Sequence, residues 1–376
     1  MNSKERLIAA LDLKKIDRLP VTTHHITGWF LKNKMNNISL DEFFDIMKMD
    51  KICWCLPIKA REQFGEQFDT KNGAIVTDDW RISSEELSHS EYITKRYTIS
   101  TPSGNLSLVM QSNEFTTWLI EHPVKKKADI EIIAKWCPAK YLDVEKTIQL
   151  AEEKPDHLIR GNIPCFDLFG QPGCWQDACC LFGVQALIME TYDDPEWVHE
   201  FLNILRDRKL KFADSCLNSG MDILEMGGGD ASSSVISPEI FDEFVAPYDQ
   251  PIIKKAQENG MRVAYHTCGS MMPFLERIAD MGVNAMETFT PAGMGGDTNL
   301  AEAKRRIGDK VCMIGGFDQF HYFKNCTETE TREAVRRCFK EAGANGGFIL
   351  SPSDHFFDAE PELIAVYADE AIKCTY

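Results

Sequence analysis

Residues 223–266 read ILEMGGGDASSSVISPEIFDEFVAPYDQPIIKKAQENGMRVAYH. This stretch opens with an apolar run that ends near Met226 and closes with a second apolar run that ends at His266. Between the two runs, residues 238–258 have the spacing of a helix, with Ser237 as N-cap and Pro238 in the first turn. An apolar strand, a crossover helix and a second apolar strand together form one unit of a parallel sheet.

The same unit recurs on both sides of this stretch. Apolar strands are predicted to end at Cys165, Met226, His266, Glu287, Gly316 and Ser351. Helices are predicted at 3–13, 39–47, 195–218, 238–258, 271–281, 328–342 and 361–373. Two earlier strands, at 18–25 and 52–56, bring the number of strands to eight. Eight such units favour an α/β fold of the (β/α)8 TIM-barrel type, with residues 1–376 as a single domain. The alternative, a doubly wound open sheet, lacks its expected Gly-x-Gly-x-x-Gly turn.

Residues 64–123 follow a different pattern. Alternating apolar and polar residues predict strands at 74–76, 92–100 and 106–111. The turn Pro102-Ser-Gly-Asn105 joins the last two as a hairpin. We therefore expect a β-rich insertion over 64–123, in the N-terminal part of the barrel.

The composition excludes several classes of protein. The 376 residues carry a formal net charge of −17 and a pI of about 5.0. Such a chain lacks the basic footprint that binding to nucleic acid or to an anionic membrane surface requires. The start MNSKERLIAALDL has no signal-peptide pattern, and no apolar run approaches the roughly 18 residues of a membrane span. We expect a cytoplasmic protein, compatible with an oligomer, whose thirteen cysteines are mostly reduced.

The active site of such a barrel lies at the carboxyl ends of the strands. The side chains at those predicted ends are acids, histidines, a thiol and aromatic rings, with few basic residues. They are His24, His25, Phe166, Asp167, Glu225, Asp230, His266, Cys268, Glu287, Phe317, Asp318, Asp354 and His355. This set is rich in groups that bind metal ions.

The segment Val263-Ala-Tyr-His-Thr-Cys-Gly-Ser270 contains the most distinctive of these groups. Side chains two residues apart at a strand end point the same way, so His266 and Cys268 can reach one ion. An imidazole nitrogen with a thiolate suits Zn²⁺. The spacing alone also fits a packed histidine beside a small buried thiol, so both interpretations stay open at this point.

Further motifs connect the chain to a known family. They are Ser3-Lys-Glu-Arg-Leu, Asp17-Arg-Leu-Pro-Val, Ile236-Ser-Pro-Glu, Pro247-Tyr, His266-Thr-Cys-Gly, Gly315-Gly-Phe-Asp318 and Gly346-Gly-Phe-Ile-Leu-Ser-Pro352. In this order they resemble the uroporphyrinogen decarboxylase superfamily over nearly the whole chain. That superfamily includes zinc-dependent, corrinoid-linked methyltransferases, and the resemblance implies a (β/α)8 barrel.

Within the superfamily, the methyltransferase branch fits better than the decarboxylase branch. Porphyrinogen decarboxylases resemble one another in an arginine-bearing loop after the first strand, whereas residues 22–32 contain no arginine. Members similar to coenzyme M methyltransferases carry His-x-Cys and a later cysteine. Here His266 and Cys268 are kept, but the later segment Ser351-Pro-Ser-Asp-His has no cysteine. The resemblance therefore implies Asp354 as the third zinc ligand, with His355 or Glu287 as alternatives.

The reaction implied is methyl transfer from a methoxylated aromatic compound to a Co(I) corrinoid. Zn²⁺ would polarise the ether oxygen, and the corrinoid would supply the chemistry of the acceptor. The corrinoid is expected on a separate carrier protein, because Thr23 replaces the aspartate of an Asp-x-His-x-x-Gly motif. We expect His266, Cys268 and Asp230 to act in catalysis.

The expected substrate pocket is aromatic, which suits a flat ring. We assign substrate binding to His25, Trp29, Phe166, Glu225 and Phe317. Two alternatives remain: a methyltransferase that moves methyl from a methylcorrinoid to a thiol or a tetrahydropterin, and a non-catalytic protein that binds a tetrapyrrole or a corrinoid protein.

Overall fold

The computed structural model describes residues 1–23, 25–88, 91–164, 166, 168 and 170–376. The strands in these residues are β1 Ile52–Trp54, β2 Gln67–Asp69, β3 Ala74–Val76, β4 Arg81–Glu86, β5 Ile93–Thr101, β6 Gly104–Ser112, β7 Thr117–Glu121, β8 Leu158–Asn162, β9 Ile223–Gly227, β10 Arg262–His266, β11 Ala285–Thr288, β12 Cys312–Phe317 and β13 Phe348–Pro352. The helices are α1 Ser3–Leu11, α2 Gly28–Lys34, α3 Leu40–Met47, α4 Asp129–Trp136, α5 Val144–Glu153, α6 Cys174–Phe182, α7 Val184–Asp193, α8 Pro195–Ser215, α9 Pro238–Ile240, α10 Ala246–Glu258, α11 Leu275–Asp280, α12 Leu300–Ile307, α13 Gln319–Tyr322, α14 Glu328–Ala342 and α15 Pro361–Lys373. A π-helical turn, Phe241–Val245, joins α9 to α10.

Seven parallel strands form the central sheet, in the order β1-β8-β9-β10-β11-β12-β13. The sheet curls into a half-barrel with helices between its strands. A short segment links its two edges. Pro20 and Thr22 hydrogen-bond to Leu350 of β13, and the Val21 carbonyl accepts from the amide of Asp50, just before β1. The expected TIM-barrel-like α/β fold is confirmed.

The strand predicted at residues 18–25 is reduced to a single bridge in the structure. Among the described residues of 18–25, only Val21 pairs, in one parallel bridge to Leu350. Pro20 has no N–H to donate, and the amide of Val21 donates to the Asp50 carboxylate, at 3.0 Å, instead of to a strand.

Most helices begin where capping residues predict. Ser237 caps α9, and Thr327 forms a capping box with Glu330 at the start of α14. Both α14 and α15 have the predicted bounds, whereas α8 ends three residues early, ahead of a left-handed Asn218 (φ 58°). No helix in the described part of the chain is long and apolar enough to cross a membrane.

The strands between residues 67 and 121 form antiparallel sheets apart from the central one. β4 to β7 make one sheet of four strands, and β2 pairs with β3. β5 and β6 form the predicted hairpin. Next to these sheets, Trp80 is fully buried and meets the ring of Phe166 edge to face, with centroids 6.1 Å apart. The antiparallel region therefore packs on a loop that follows β8.

Helix α1 covers the end of the barrel away from the carboxyl ends of the strands, where it packs against β8 and β13. Leu7 and Leu11 of this helix line a cavity of about 10 Å³, with Arg160 and Glu287 also on its wall. A space of that size holds about one water molecule. This cavity therefore has no room for a larger molecule.

Candidate active site

His266 is the last residue of β10, and Cys268 lies two residues beyond it. The Nε2 atom of His266 is 3.0 Å from the Sγ atom of Cys268. The His266 side chain is 12% exposed, so it faces a sheltered space that opens to solvent. The two side chains thus converge as strand alternation predicts.

Glu287, on the neighbouring strand β11, holds the other side of this imidazole. It stands beside His266 in the parallel register, and its Oε2 lies 3.4 Å from Nδ1. A carboxylate facing Nδ1 favours a proton there and leaves Nε2 as the ligand atom. Nε2 is the nitrogen that faces Cys268.

Arg160 of β8 connects two acids of this region, and the sequence analysis missed it. Its guanidinium, 1% exposed, makes a bidentate pair with Glu287 (Nη1 to Oε1 2.8 Å, Nη2 to Oε2 2.5 Å). Its Nη2 also donates to Oε2 of Glu225 at 2.7 Å. Arg160 lies two residues before the end of β8. It was therefore not among the predicted strand-end residues, which were expected to include few basic side chains.

The surroundings of His266 also set its charge. Burial alone would lower the pKa of the imidazole. Electrostatic attraction to Cys268 and Glu225, together with the hydrogen bonds to Cys268 and Glu287, outweighs burial and raises the pKa of His266 well above the ordinary value. The surroundings of His266 therefore favour a positive charge on its ring.

The backbone around these residues is strained. Thr288, directly after Glu287, has φ 89°, which is rare for a β-branched residue. Its hydroxyl donates to the carbonyl of Thr267, between the two candidate ligands, at 2.6 Å. A Cβ at Gly315 would lie 2.2 Å from the Thr288 carbonyl oxygen, so only glycine fits there. Strain of this kind persists where the surrounding structure fixes the chain, often at functional sites.

Asp230 lies in the glycine loop after β9. The side chain of Gln176 holds it twice: Gln176 Nε2 donates to Oδ2, and Oε1 accepts from the Asp230 amide, both at 2.5 Å. Burial raises the pKa of the Asp230 carboxyl, which the Gln176 bond partly offsets. A Cβ at Gly227 would lie 2.4 Å from the His266 carbonyl, so the loop can pass this close to β10 because it is glycine.

Asp354 and His355 follow β13 and interact with each other. His355 Nδ1 is 3.2 Å from Asp354 Oδ1, and both side chains are more than a third exposed. Among the described residues, the group whose ligand atoms converge on His266 consists of Glu225 and Glu287. The third ligand therefore remains a prediction.

Aromatic rings form a chain at the mouth of the barrel. Trp29 packs on Phe115 at 5.0 Å between centroids, and Phe115 packs on Phe357 at 5.2 Å. His355 lies 6.1 Å from Phe357 and 5.6 Å from His25. Phe115, in the turn between β6 and β7, is 39% exposed. We call these five side chains the aromatic mouth.

The other predicted substrate residues are buried. Phe317 is fully buried against Tyr322, Phe323 and Tyr367, so it belongs to the core. Phe166 is 4% exposed, and its amide donates to Asp177. Of the remaining predicted strand-end side chains, Asp318 pairs with His321. His24, Asp167 and the predicted strand end at Cys165 lie outside the described residues.

Sequence comparisons relate the chain to a known family. The model of the family "Uroporphyrinogen decarboxylase (URO-D)" matches residues 119–371. A uroporphyrinogen decarboxylase of Thioalkalivibrio sulfidiphilus is 26% identical over 190 residues, which are 48% of this chain and 50% of that protein. The methylcobamide:CoM methyltransferase MtaA of Methanosarcina barkeri is 23% identical over 322 residues, 83% of this chain and 81% of that protein.

The chain spans about half the length of the first two curated decarboxylases it matches. The structure of a methyltransferase from Methanosarcina mazei matches with a TM-score of 0.65 and 15% identity, and it covers 99% of both chains. At that identity the likeness concerns the fold, which it supports along the full length.

Proposed function

The chain belongs to the uroporphyrinogen decarboxylase family, and on that premise we propose that it is a zinc-dependent methyltransferase that works with a corrinoid carrier protein. The observation that carries this proposal is the pair of His266 and Cys268, with Nε2 and Sγ 3.0 Å apart. The similarity to a methylcobamide:CoM methyltransferase supports methyl transfer as the reaction class.

The two side chains fit a zinc ion. Zinc bonds of about 2.0–2.1 Å to nitrogen and about 2.3 Å to sulfur can both be made across a gap of this size. An imidazole with a thiol is the mixed donor set that a borderline-soft ion prefers. Glu287 fixes the imidazole from behind, as carboxylates do for metal-bound histidines. Asp354 is our proposed third ligand.

Zinc, when bound, supplies a Lewis acid that polarises an ether oxygen and stabilises the leaving oxyanion. The residues of the chain do the rest. His266 and Cys268 would hold that centre at the carboxyl end of β10. Asp230, in the loop after β9, is our proposed proton donor to the leaving oxygen, because burial raises the pKa of its carboxyl.

We propose a methoxylated aromatic compound as methyl donor. The carbon–oxygen bond breaks with its electron pair on oxygen, and the methyl carbon bonds to the Co(I) of the carrier's corrinoid. The oxygen then takes a proton, which gives a phenol. The aromatic mouth supports this choice, because Trp29, Phe115 and Phe357 offer ring faces and edges to a flat substrate.

A second candidate runs the transfer toward a thiol, from a methylated corrinoid carrier. It is favoured by one observation, the similarity to a protein named as a methylcobamide:CoM methyltransferase over 81% of that protein's length. A thiol acceptor would use the same His266 and Cys268 centre, because zinc also stabilises a thiolate.

Absorption spectroscopy separates the two candidates. The zinc-loaded chain is mixed with a reduced corrinoid carrier and a methoxylated phenol, and the conversion of Co(I) to methylcobalt is followed together with phenol release. We expect both signals, lost in a His266→Ala, Cys268→Ala variant. If methoxylated aromatics give no signal while a thiol demethylates the methylated carrier, the second candidate is correct. If neither reaction occurs, the methyltransferase proposal fails.

A further inference from the structure

The imidazole of His266 belongs to two possible sets of metal ligands. One set is the pair with Cys268. The other consists of His266 with Glu225 and Glu287, whose ligand atoms all lie within 4.8 Å of one another. Two carboxylates and one imidazole suit harder divalent ions such as Mn²⁺, whereas a thiolate suits zinc. The fold thus offers a carboxylate site and a thiol site around one ring.

Arg160 already occupies the carboxylate site. Its guanidinium binds both oxygens of Glu287 and one oxygen of Glu225, at 2.5–2.8 Å. The side chain is 1% exposed, and its Cζ lies 4.3 Å from the centre of the Trp54 ring. The planar fork, which matches a carboxylate bidentately, is therefore held through Nη1 and Nη2, whereas its Nε has no hydrogen-bond partner among the described residues.

A metal ion can bind at the carboxylate site only in competition with the guanidinium of Arg160. It would meet the positive charge of Arg160 at close range and would have to take carboxylate oxygens from it. Both changes are unfavourable, since a buried charge left without its partner is strongly destabilising. In the part of the chain that the structure describes, no guanidinium pairs with the thiol site, since Cys268 lies at the opposite nitrogen of the ring from Glu287.

We infer that Arg160 determines which metal the protein takes, by filling the carboxylate site around Glu225 and Glu287 so that an ion binds at His266 and Cys268 instead. The inference rests on the metal of the proposed function, but not on the methyl transfer. Arg160 acts here as a positioning and selecting residue, because it touches neither the substrate nor the ion.

The test uses metals alone as probes. Metal-free wild type and Arg160→Met are titrated with Co²⁺, read by its thiolate charge-transfer band, and with Mn²⁺, read by electron paramagnetic resonance. We expect Mn²⁺ to bind the variant about tenfold or more tightly than wild type, a change of the size that neighbouring groups exert on metal affinity. The added Mn²⁺ affinity persists when Cys268→Ser is combined with Arg160→Met.

Arg262→Met is the matched control. It removes a guanidinium from β10, the strand that carries His266, where Arg262 pairs with Asp12 at 2.6 Å. We expect this variant to bind metal ions as wild type does. Should Arg160→Met fail to fold, the double variant Arg160→Met, Glu225→Gln restores the net charge. We expect this variant also to bind Mn²⁺ more tightly than wild type, because Glu287 keeps its carboxylate.

Unchanged Mn²⁺ affinity in a folded Arg160 variant overturns the inference. The outcome for the proposed function is read separately. A wild type without the thiolate band refutes the His266 and Cys268 centre, whatever Mn²⁺ does in the variant.

Discussion

The ring of Phe115 packs against the ring of Trp29, with centroids 5.0 Å apart, and so joins the antiparallel sheet to the mouth of the barrel. The neighbouring Glu114 strengthens the link, since Trp29 Nε1 donates to its carboxylate at 2.9 Å. A hairpin that reaches from the region of residues 64–123 therefore forms part of the entrance to the site. From this contact we predict that the region takes part in binding the proposed aromatic substrate.

Removal of this ring should weaken binding of the aromatic donor. We expect Phe115→Ala to raise KM for a methoxylated phenol about 3- to 10-fold with little change in kcat, because one aromatic pair contributes about 0.5–1.5 kcal/mol. Ile120→Ala is the control, since Ile120 lies on β7 of the same sheet and is 51% exposed. Equal KM values for both variants and wild type would remove the aromatic mouth from substrate binding.

The third zinc ligand is tested by two neighbouring substitutions. We predict that Asp354→Ala lowers zinc affinity by about tenfold or more, as losses around a metal do, while His355→Ala has a smaller effect. Competition with a chromophoric chelator measures both affinities. The reverse order would assign the ligand to His355, and two unchanged affinities would exclude this segment from the metal site.

A buried acid makes the stability of the fold depend on pH. Burial raises the pKa of Asp249 to about 6, although the amide of Cys174 and the hydroxyl of Tyr265 hydrogen-bond to it. The folded state thus binds a proton that the unfolded chain releases near pH 4. This group stabilises the fold at low pH, and that contribution is lost as pH rises from about 4 to about 6.

Urea unfolding of wild type and Asp249→Asn measures this effect. The free energy of unfolding of wild type, relative to the variant, should fall by up to ~3 kcal/mol between pH 4 and pH 7. The variant, which has no proton to exchange there, serves as the reference for all other groups. A difference that does not vary with pH would show that Asp249 does not titrate in this range.

Decarboxylation of uroporphyrinogen should be absent. Residues 22–32 offer no arginine to substrate carboxylates, and Arg160 is already bound by two glutamates. Incubation with uroporphyrinogen should release no CO₂ above background, with a uroporphyrinogen decarboxylase as the positive control. Release at a rate comparable to the control would return this chain to the decarboxylating members of its family.

Much of the fold follows from local sequence. Strand and helix alternation predicted the parallel sheet, and capping residues placed α14 and α15 at their observed bounds. The prediction of a strand at residues 18–25 was wrong because distant residues decide how this segment pairs. Val21 meets Leu350 and Asp50, and a local pattern contains no information about either.

The site was predicted in part, for a similar reason. The approach of His266 to Cys268 is a local consequence of strand alternation. Arg160 was not predicted, because it lies inside β8 and not at the end of a strand. A signal was present: an arginine within a buried strand needs acidic partners, and Glu225 and Glu287 lie in other apolar strands.

The zinc content of the purified protein tests the central claim most directly. If His266 and Cys268 hold the ion, wild type contains close to one zinc per chain, and a folded His266→Ala, Cys268→Ala variant contains almost none. The claim rests on the short distance between His266 Nε2 and Cys268 Sγ. Zinc retained by the double variant at the wild-type level would contradict it.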